Sequence, residues 1–167
     1  PRVAAALTEQ ASPLLHVSTL FVTEPQLEVA ERLDALVRSG TGQATPGRVL
    51  FQNSGAEANE AARKLARKYH GRGRHGVVAA FRSFHGRTLA TLAATGQPEK
   101  PEPFQPLPER FRHAAWNDVA AFEAALDPSV GAILLEPLQG EGGVNPADVD
   151  FLRGIRRLCD ERGLLLI

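Results

Sequence analysis

Apolar positions along this chain alternate between two periods, and the switches between them mark out its elements. From Leu27 they recur at Ala30, Leu33, Leu36 and Val37, the spacing of one helix face. Thr23, Glu24, Pro25 and Gln26 precede that face as a helix start, with a hydroxyl cap, a proline in the first turn and a glutamine three residues beyond the cap. The helix is expected to close near Gly40. A loop of Gly, Pro and Thr then leads to "RVLFQN" (48–53), expected as a strand, followed by a helix from about Ala56 to Tyr69 and the strand "GVVAAF" from Gly76. A small-residue helix is expected around "TLATLAA" (88–94). Residues 96–111, "GQPEKPEPFQPLPERF", hold too many prolines for a helix or a central strand and are expected to run as an extended surface loop. A cap at Asn117 or Asp118 opens the helix "VAAFEAAL", Asp127 and Pro128 turn the chain, and "VGAILLEP" reads as a buried strand. After "LQGEGGVNP" come the helix "ADVDFLRGIRRLCDERG" and a last strand in "RGLLLI".

Strand and helix alternate three times and the strands are continuously apolar, which predicts an α/β fold: a parallel sheet covered on both faces, three layers α/β/α. There is no internal repeat and no linker. The expected division is an N-terminal helical segment over residues 1–40 and a larger α/β region over 41–167. Ligands of such sheets bind beyond the carboxyl ends of the strands, where "NSGAEAN" (53–59), "SFHGRT" (83–88) and "EPLQGEGG" (136–143) all fall. Topology should therefore gather these three segments at one place.

Composition narrows what that place can serve. Lys plus Arg and Asp plus Glu both number 19, so the formal net charge is zero, and no global electrostatic attraction to nucleic acid or an anionic membrane is expected. No apolar run approaches the roughly 20 residues of a membrane span. A small molecule is the expected ligand. The single Cys159 has no internal disulfide partner and no second cysteine for a metal knuckle, so the reading is a cytoplasmic protein with a buried thiol and no metal site. The chain starts on Pro1 without methionine and stops on an apolar run, and it is read as a piece of a longer protein.

In the first decorated turn, Ser54 and Glu57 have capping-box spacing, which accounts for the serine by itself. Gly55 and Ala56, having almost no side chain, also leave the first amides of the helix open to an anion. The pattern is neither G-x-G-x-x-G nor a P-loop. In the second turn, Phe84 is a core residue or a platform for a flat ring, and His85 is a packed histidine or an acid–base group. Arg87 opposes the helix dipole unless an anion compensates, and its fork suits a carboxylate. In the third segment Glu136 ends a strand, whereas Glu141 lies in a glycine-rich loop as a solvated acid or as a partner for Arg87.

Taken together, "NSGAEANEAARKLAR", "FHGRTLATLAATGQP", "PFQPLP" and "LLEPLQGEGGV" resemble the class III, fold type I pyridoxal-phosphate aminotransferases, most closely the acetylornithine aminotransferases of arginine biosynthesis. The resemblance runs from Pro1, similar to the family's His-Pro opening of a helix, to Ile167. It implies a partial large domain of the fold type I architecture and pyridoxal 5'-phosphate as cofactor. It also implies an amino-acid substrate and 2-oxoglutarate as partners, and a homodimer with its active site at the interface. By position, Ser54 and the backbone of Gly55 and Ala56 would hold the cofactor phosphate. Phe84 would stack on the pyridine ring, with His85 beside it and Glu136 in the hydrogen-bonded shell beneath. Arg87 would bind the carboxylates of both substrates, and Glu141 would be the switch acid that pairs with a later arginine. "LLHVSTLF" (14–21) departs from the family's Gly-His-Thr-Ser-Asn-Leu at Leu15, Val17 and Thr19.

The family's Schiff-base lysine and its Asp-Glu-x-Gln, whose Asp meets the pyridine nitrogen, are expected after Ile167. The lysines present, Lys64, Lys68 and Lys100, sit along a helix and in the proline-rich loop, away from a catalytic position. The reading is thus part of an aminotransferase for N-acetylornithine. Alternatives are another class III enzyme acting on ornithine, succinylornithine or 4-aminobutyrate, and a non-catalytic anion-binding α/β module.

Overall fold

A computed structural model describes residues 1–18 and 20–167 and divides the chain into two compact units, Pro1–Phe51 and Gln52–Ile167. The first unit holds helices α1 (Arg2–Ala11) and α2 (Glu24–Thr41). Proline stands in the first turn of α2, but the Thr23 side chain makes no capping bond. The helix closes two residues later than expected, at Gly42 and not Gly40, and the left-handed backbone of Gly42 directs its N–H to the Arg38 carbonyl at 2.8 Å. Asp34 fastens the following loop, accepting from the Gly47 amide at 2.7 Å and from Arg38 Nε at 2.8 Å. No residue of α1 or α2 is buried, and Leu27, Leu33, Leu36 and Val37, expected on an inward face, are exposed. In the departing segment Leu15 is exposed and Val17 half-buried, while Thr19 lies outside the described residues.

The second unit runs α3 (Gly55–His70), β1 (Gly76–Ala80), α4 (Leu89–Ala94), a single 3-10 turn (Glu102–Phe104), β2 (Phe111–Ala114), α5 (Val119–Ala124), β3 (Val130–Leu134), β4 (Leu138–Gln139), β5 (Asn145–Pro146), α6 (Val149–Arg162) and β6 (Leu165–Leu166). Four strands form a parallel sheet in the order β2-β1-β3-β6. Strand β1 lies inside it, with Val78 registered to Arg112 on one side and Ile133 on the other. Its side chains alternate between layers, as a pleated strand requires. Val78 and Ala80 join Phe122, Ile133, Phe151, Ile155, Leu158 and Cys159 beneath α5 and α6, whereas Val77 joins Leu134 and Ala94 beneath α4. The architecture is the expected three-layer α/β/α arrangement. Phe122 and Ile155 are fully buried, and each such side chain contributes about 1.5–3 kcal/mol through removal from water. Cys159 is also fully buried, and burial pushes its thiol up to about 11, so it is a packing residue.

Three segments differ from the periodicity reading. "RVLFQN" forms no strand among the described residues: Val49 and Leu50 are exposed and nothing pairs with them. An apolar β-former becomes a strand only where a neighbouring ladder accepts it. The proline-rich stretch is not extended throughout, since a turn and the 3-10 turn fold within it. It ends in β2, "FRHA", whose polar content hid it. Because β2 lies at the sheet edge, Arg112 can leave the layer and pair with Asp127 in the turn before β3. Finally, "LQGEGGVNP" closes as a small antiparallel hairpin, Leu138 opposite Pro146 and Gln139 opposite Asn145, not as an open loop.

Candidate active site

Beyond the carboxyl ends of β1 and β3, the three decorated segments touch one another. At the start of α3, the cap Ser54 accepts through Oγ from the Glu57 amide at 3.2 Å, and Glu57 Oε2 reaches one residue past the cap to accept from the Asn53 amide at 2.8 Å, a variant of the capping box. The Ala58 amide bonds the Ser54 carbonyl at 3.0 Å. Ser54 thus serves the third and fourth amides, and those of Gly55 and Ala56 remain as the open donors of the turn. A Cβ built on Gly55 meets nothing within 4 Å, so this helix start faces free space.

The second segment packs on the first through Gly86. Its φ is +136°, and a Cβ there would lie 2.6 Å from Thr91 Oγ1 and 2.8 Å from the Ala56 Cβ. Only glycine fits. Two bonds stitch the contact: Asn59 Nδ2 donates to the His85 carbonyl at 2.8 Å, and Thr88 Oγ1 donates to Glu60 at 2.7 Å. The His85 amide donates to Thr95 Oγ1 at 3.1 Å, and its ring is 4% exposed with Nε2 unpartnered. Burial, and then the neighbouring His113, hold the imidazole down to about 4, so it is neutral and anchors the turn from within.

Phe84 stands half-buried on the same turn. Its amide donates to Glu136 Oε2 at 3.1 Å, fixing the second segment to the third. Burial pushes the Glu136 carboxyl up, opposed by backbone donors from Phe84 and Gly140. Arg87 is exposed, with Cζ 5.7 Å from the centroid of the Phe84 ring. Lys100 approaches the same ring, Nζ at 5.2 Å. The hairpin turn holds Glu141, which pairs with Lys100 and accepts from Gln97 Nε2 at 2.6 Å. Arg87 makes no ion pair among the described residues, although its charge helps, after Lys100 and Gln97, to hold the Glu141 carboxyl below its usual range. Hairpin and second turn are close: Arg82 Nη2 donates to the Gly142 carbonyl at 3.2 Å.

The structure therefore brings Ala56, Phe84, His85, Glu136, Arg87 and Glu141 into one neighbourhood, with Ser54 as a helix cap and His85 inside the protein. It pairs Glu141 with Lys100 where the sequence offered Arg87. Lys100, expected away from the site, and Gln97 and Asn59, not singled out at all, belong to it. A signal for two of them was present. In "QPEK", proline at the second position of a turn favours the closure seen here, the Lys100 amide bonding the Gln97 carbonyl at 3.0 Å.

Comparison with known proteins gives one answer along the whole chain. The family model described as aminotransferase class-III matches residues 1–167. An acetylornithine aminotransferase of Methanocaldococcus jannaschii is 44% identical over 171 residues, covering 100% of this chain and 41% of that protein. Among solved structures, N-acetylornithine aminotransferase from Stenotrophomonas maltophilia superposes with a TM-score of 0.74 at 36% identity, covering 99% of this chain and 40% of the other. An amine transaminase from an uncultivated Pseudomonas species, solved in its PLP-bound form, gives a TM-score of 0.86 at 25% identity over 98% of this chain and 42% of the other. The chain spans about two fifths of the length of the relatives it matches.

Proposed function

The chain belongs to the class-III aminotransferases, which use pyridoxal 5'-phosphate, and on that premise we propose that the complete protein transfers the amino group of N-acetylornithine to 2-oxoglutarate. The observation that carries the reading is the single neighbourhood in which an open helix start, a half-buried aromatic ring and an arginine that forms no ion pair among the described residues meet. Identity of 44% to an acetylornithine aminotransferase supports the choice of donor.

The residues present suit the cofactor. Free space at Gly55 and the amides of Gly55 and Ala56 offer its phosphate hydrogen bonds at the positive end of the α3 dipole. Phe84 offers a flat apolar face, and Glu136, tethered to the Phe84 amide, fixes that face in place. When bound, pyridoxal phosphate supplies the electron sink that labilises the C–H bond beside the reacting nitrogen. Arg87 would grip a carboxylate common to both substrates through two parallel N–H donors, orienting each in the same pocket. Glu141 would set how strongly that pocket favours one carboxylate or two.

We place the complete protein in the cytoplasm as a homodimer. Support for the second subunit comes from the N-terminal unit, where two helices of 10 and 18 residues bury no side chain. Light scattering on the complete protein should give twice the subunit mass. The reaction itself is tested by assaying the complete, cofactor-loaded protein with N-acetylornithine, ornithine, succinylornithine and 4-aminobutyrate against 2-oxoglutarate. The highest kcat/KM is expected for N-acetylornithine. Preference for another donor would move the protein elsewhere in the family, and no turnover with any of them would overturn the reading.

A further inference from the structure

We infer that Asn59 and Glu60 form a positioning pair for Arg87, holding the chain on both sides of it from consecutive places on α3. The same helix offers its first amides to the cofactor phosphate, so the pair sets the distance between that phosphate and the substrate carboxylate. The inference rests on the functional reading above and adds two residues to it. Asn59 Nδ2 donates to the carbonyl of His85, two residues before Arg87, at 2.8 Å. Glu60 Oε1 accepts from Oγ1 of Thr88, the residue after Arg87, at 2.7 Å. Between these bonds Gly86 packs on Ala56, and Ala56, Asn59 and Glu60 share one face of the helix.

Neither bond is one that local structure asks for. Asparagine inside a helix is a weak helix former, because its side chain competes for backbone groups, and here that side chain leaves α3 for a carbonyl 26 residues away. Thr88 stands at the N-cap of α4, where a hydroxyl ordinarily accepts from the amides of its own helix, yet it makes no such bond and donates across to α3. Arg87 needs this support. It is exposed and makes no ion pair among the described residues, so the backbone on either side sets where its guanidinium starts. Phe84 differs, because its amide is tied to Glu136, an anchor that does not run through α3. Loss of the α3 bonds therefore moves the carboxylate clamp and leaves the ring platform.

The test is made on the complete, cofactor-loaded protein, with Asn59→Leu removing the donor at similar size and Thr88→Val removing the hydroxyl that Glu60 receives. Calorimetry with glutarate, a non-reacting dicarboxylate, should show each variant binding about tenfold more weakly. The KM for 2-oxoglutarate and for the amino-acid donor should rise alike, with kcat little changed. Pyridoxal phosphate should bind each apoprotein as it binds wild type. Thr88→Ser keeps the hydroxyl and should match wild type in every readout. A merely structural bond would weaken cofactor and glutarate together, and that outcome overturns the inference, as does unchanged glutarate affinity in either variant. Should Asn59→Leu fail to fold, Thr88→Val set against Thr88→Ser decides by the same criteria. A wild type that binds glutarate but transaminates nothing defeats the functional reading alone, whereas one that binds no glutarate removes Arg87 as a carboxylate clamp and this inference with it.

Discussion

At the scale of single residues, the site separates groups whose roles depend on charge from groups whose roles depend on being neutral. Gly55 lies at an open helix start with nothing within 4 Å of a built Cβ. Gly55→Asp should therefore fold normally yet weaken pyridoxal phosphate about tenfold or more, because it sets a negative charge where the phosphate is drawn by the dipole. Titration of the apoprotein by absorbance checks this, and unchanged affinity would remove the phosphate from α3. For Arg87, replacement by lysine keeps the charge and loses the fork, so KM for both substrates should rise about tenfold while cofactor absorbance is retained. His85 is the neutral case. Its folded-state value near 4 lies below the ordinary 6.5, so the unfolded chain takes up its proton first as pH falls. The stability it contributes is complete above pH 6.5 and declines as pH falls from there toward 4. Between pH 6.5 and 5 the loss should be about 2 kcal/mol, seen in denaturant titrations and absent from His85→Phe. His113 is shifted in the same direction by burial and adds to the trend.

At the scale of elements, the site depends on how closely α3 approaches the turn after β1. Gly86 sets that approach by its φ of +136° and its contact with Thr91 and Ala56. Gly86→Val should destabilise by about 2–4 kcal/mol, since it combines backbone strain with overpacking. Gly55→Ala, a change of the same kind in open space, should stay within about 0.5 kcal/mol, and thermal unfolding of the pair tests the contrast. The elements that bury a continuous apolar face were legible from period alone: β1, β3 and α6 appear where "GVVAAF", "VGAILLEP" and "ADVDFLRGIRRLCDERG" predicted them, and α3, in which Ala66 is the one buried residue, appears where the stretch from about Ala56 to Tyr69 did. The caps at Ser54 and Asp118 were legible too, whereas the Thr23 side chain makes no capping bond. Asp118 accepts from the Ala121 amide at 2.9 Å, while its competitor Asn117 takes a left-handed φ of 60° and receives the Asp148 amide. What was not legible depends on a partner distant in sequence. "RVLFQN" has β-propensity without a ladder, "FRHA" becomes a strand because β1 offers an edge, and Lys100 enters the site only because the hairpin delivers Glu141 to it. Local pattern reports what a segment can bury, and tertiary pairing decides what it meets.

At the scale of the whole molecule, the residues proposed to grip the ligands lie in this chain, whereas none of its lysines suits the chemistry. This chain has three lysines. Lys64 and Lys68 sit on exposed positions of α3 beyond its first turn, and Lys100 is committed to Glu141. None combines a place beside Phe84 with an unengaged amine, so the 167-residue chain alone is expected to bind pyridoxal phosphate weakly and to turn over nothing. Its surfaces should also limit it. The two-residue β6 stands at the sheet edge, and Leu27, Leu36 and Val37 of α2 expose an apolar face, so self-association is expected in light scattering. Borohydride reduction in the presence of cofactor, followed by mass mapping, asks whether any lysine is modified specifically, and an assay with acetylornithine and 2-oxoglutarate asks for turnover. Specific modification of Lys64, Lys68 or Lys100 with measurable turnover would place the whole reaction inside this chain. Activity that returns only when the remaining part of the protein is added would assign it the binding half of the site, with the phosphate at α3, the ring against Phe84 and the carboxylate at Arg87.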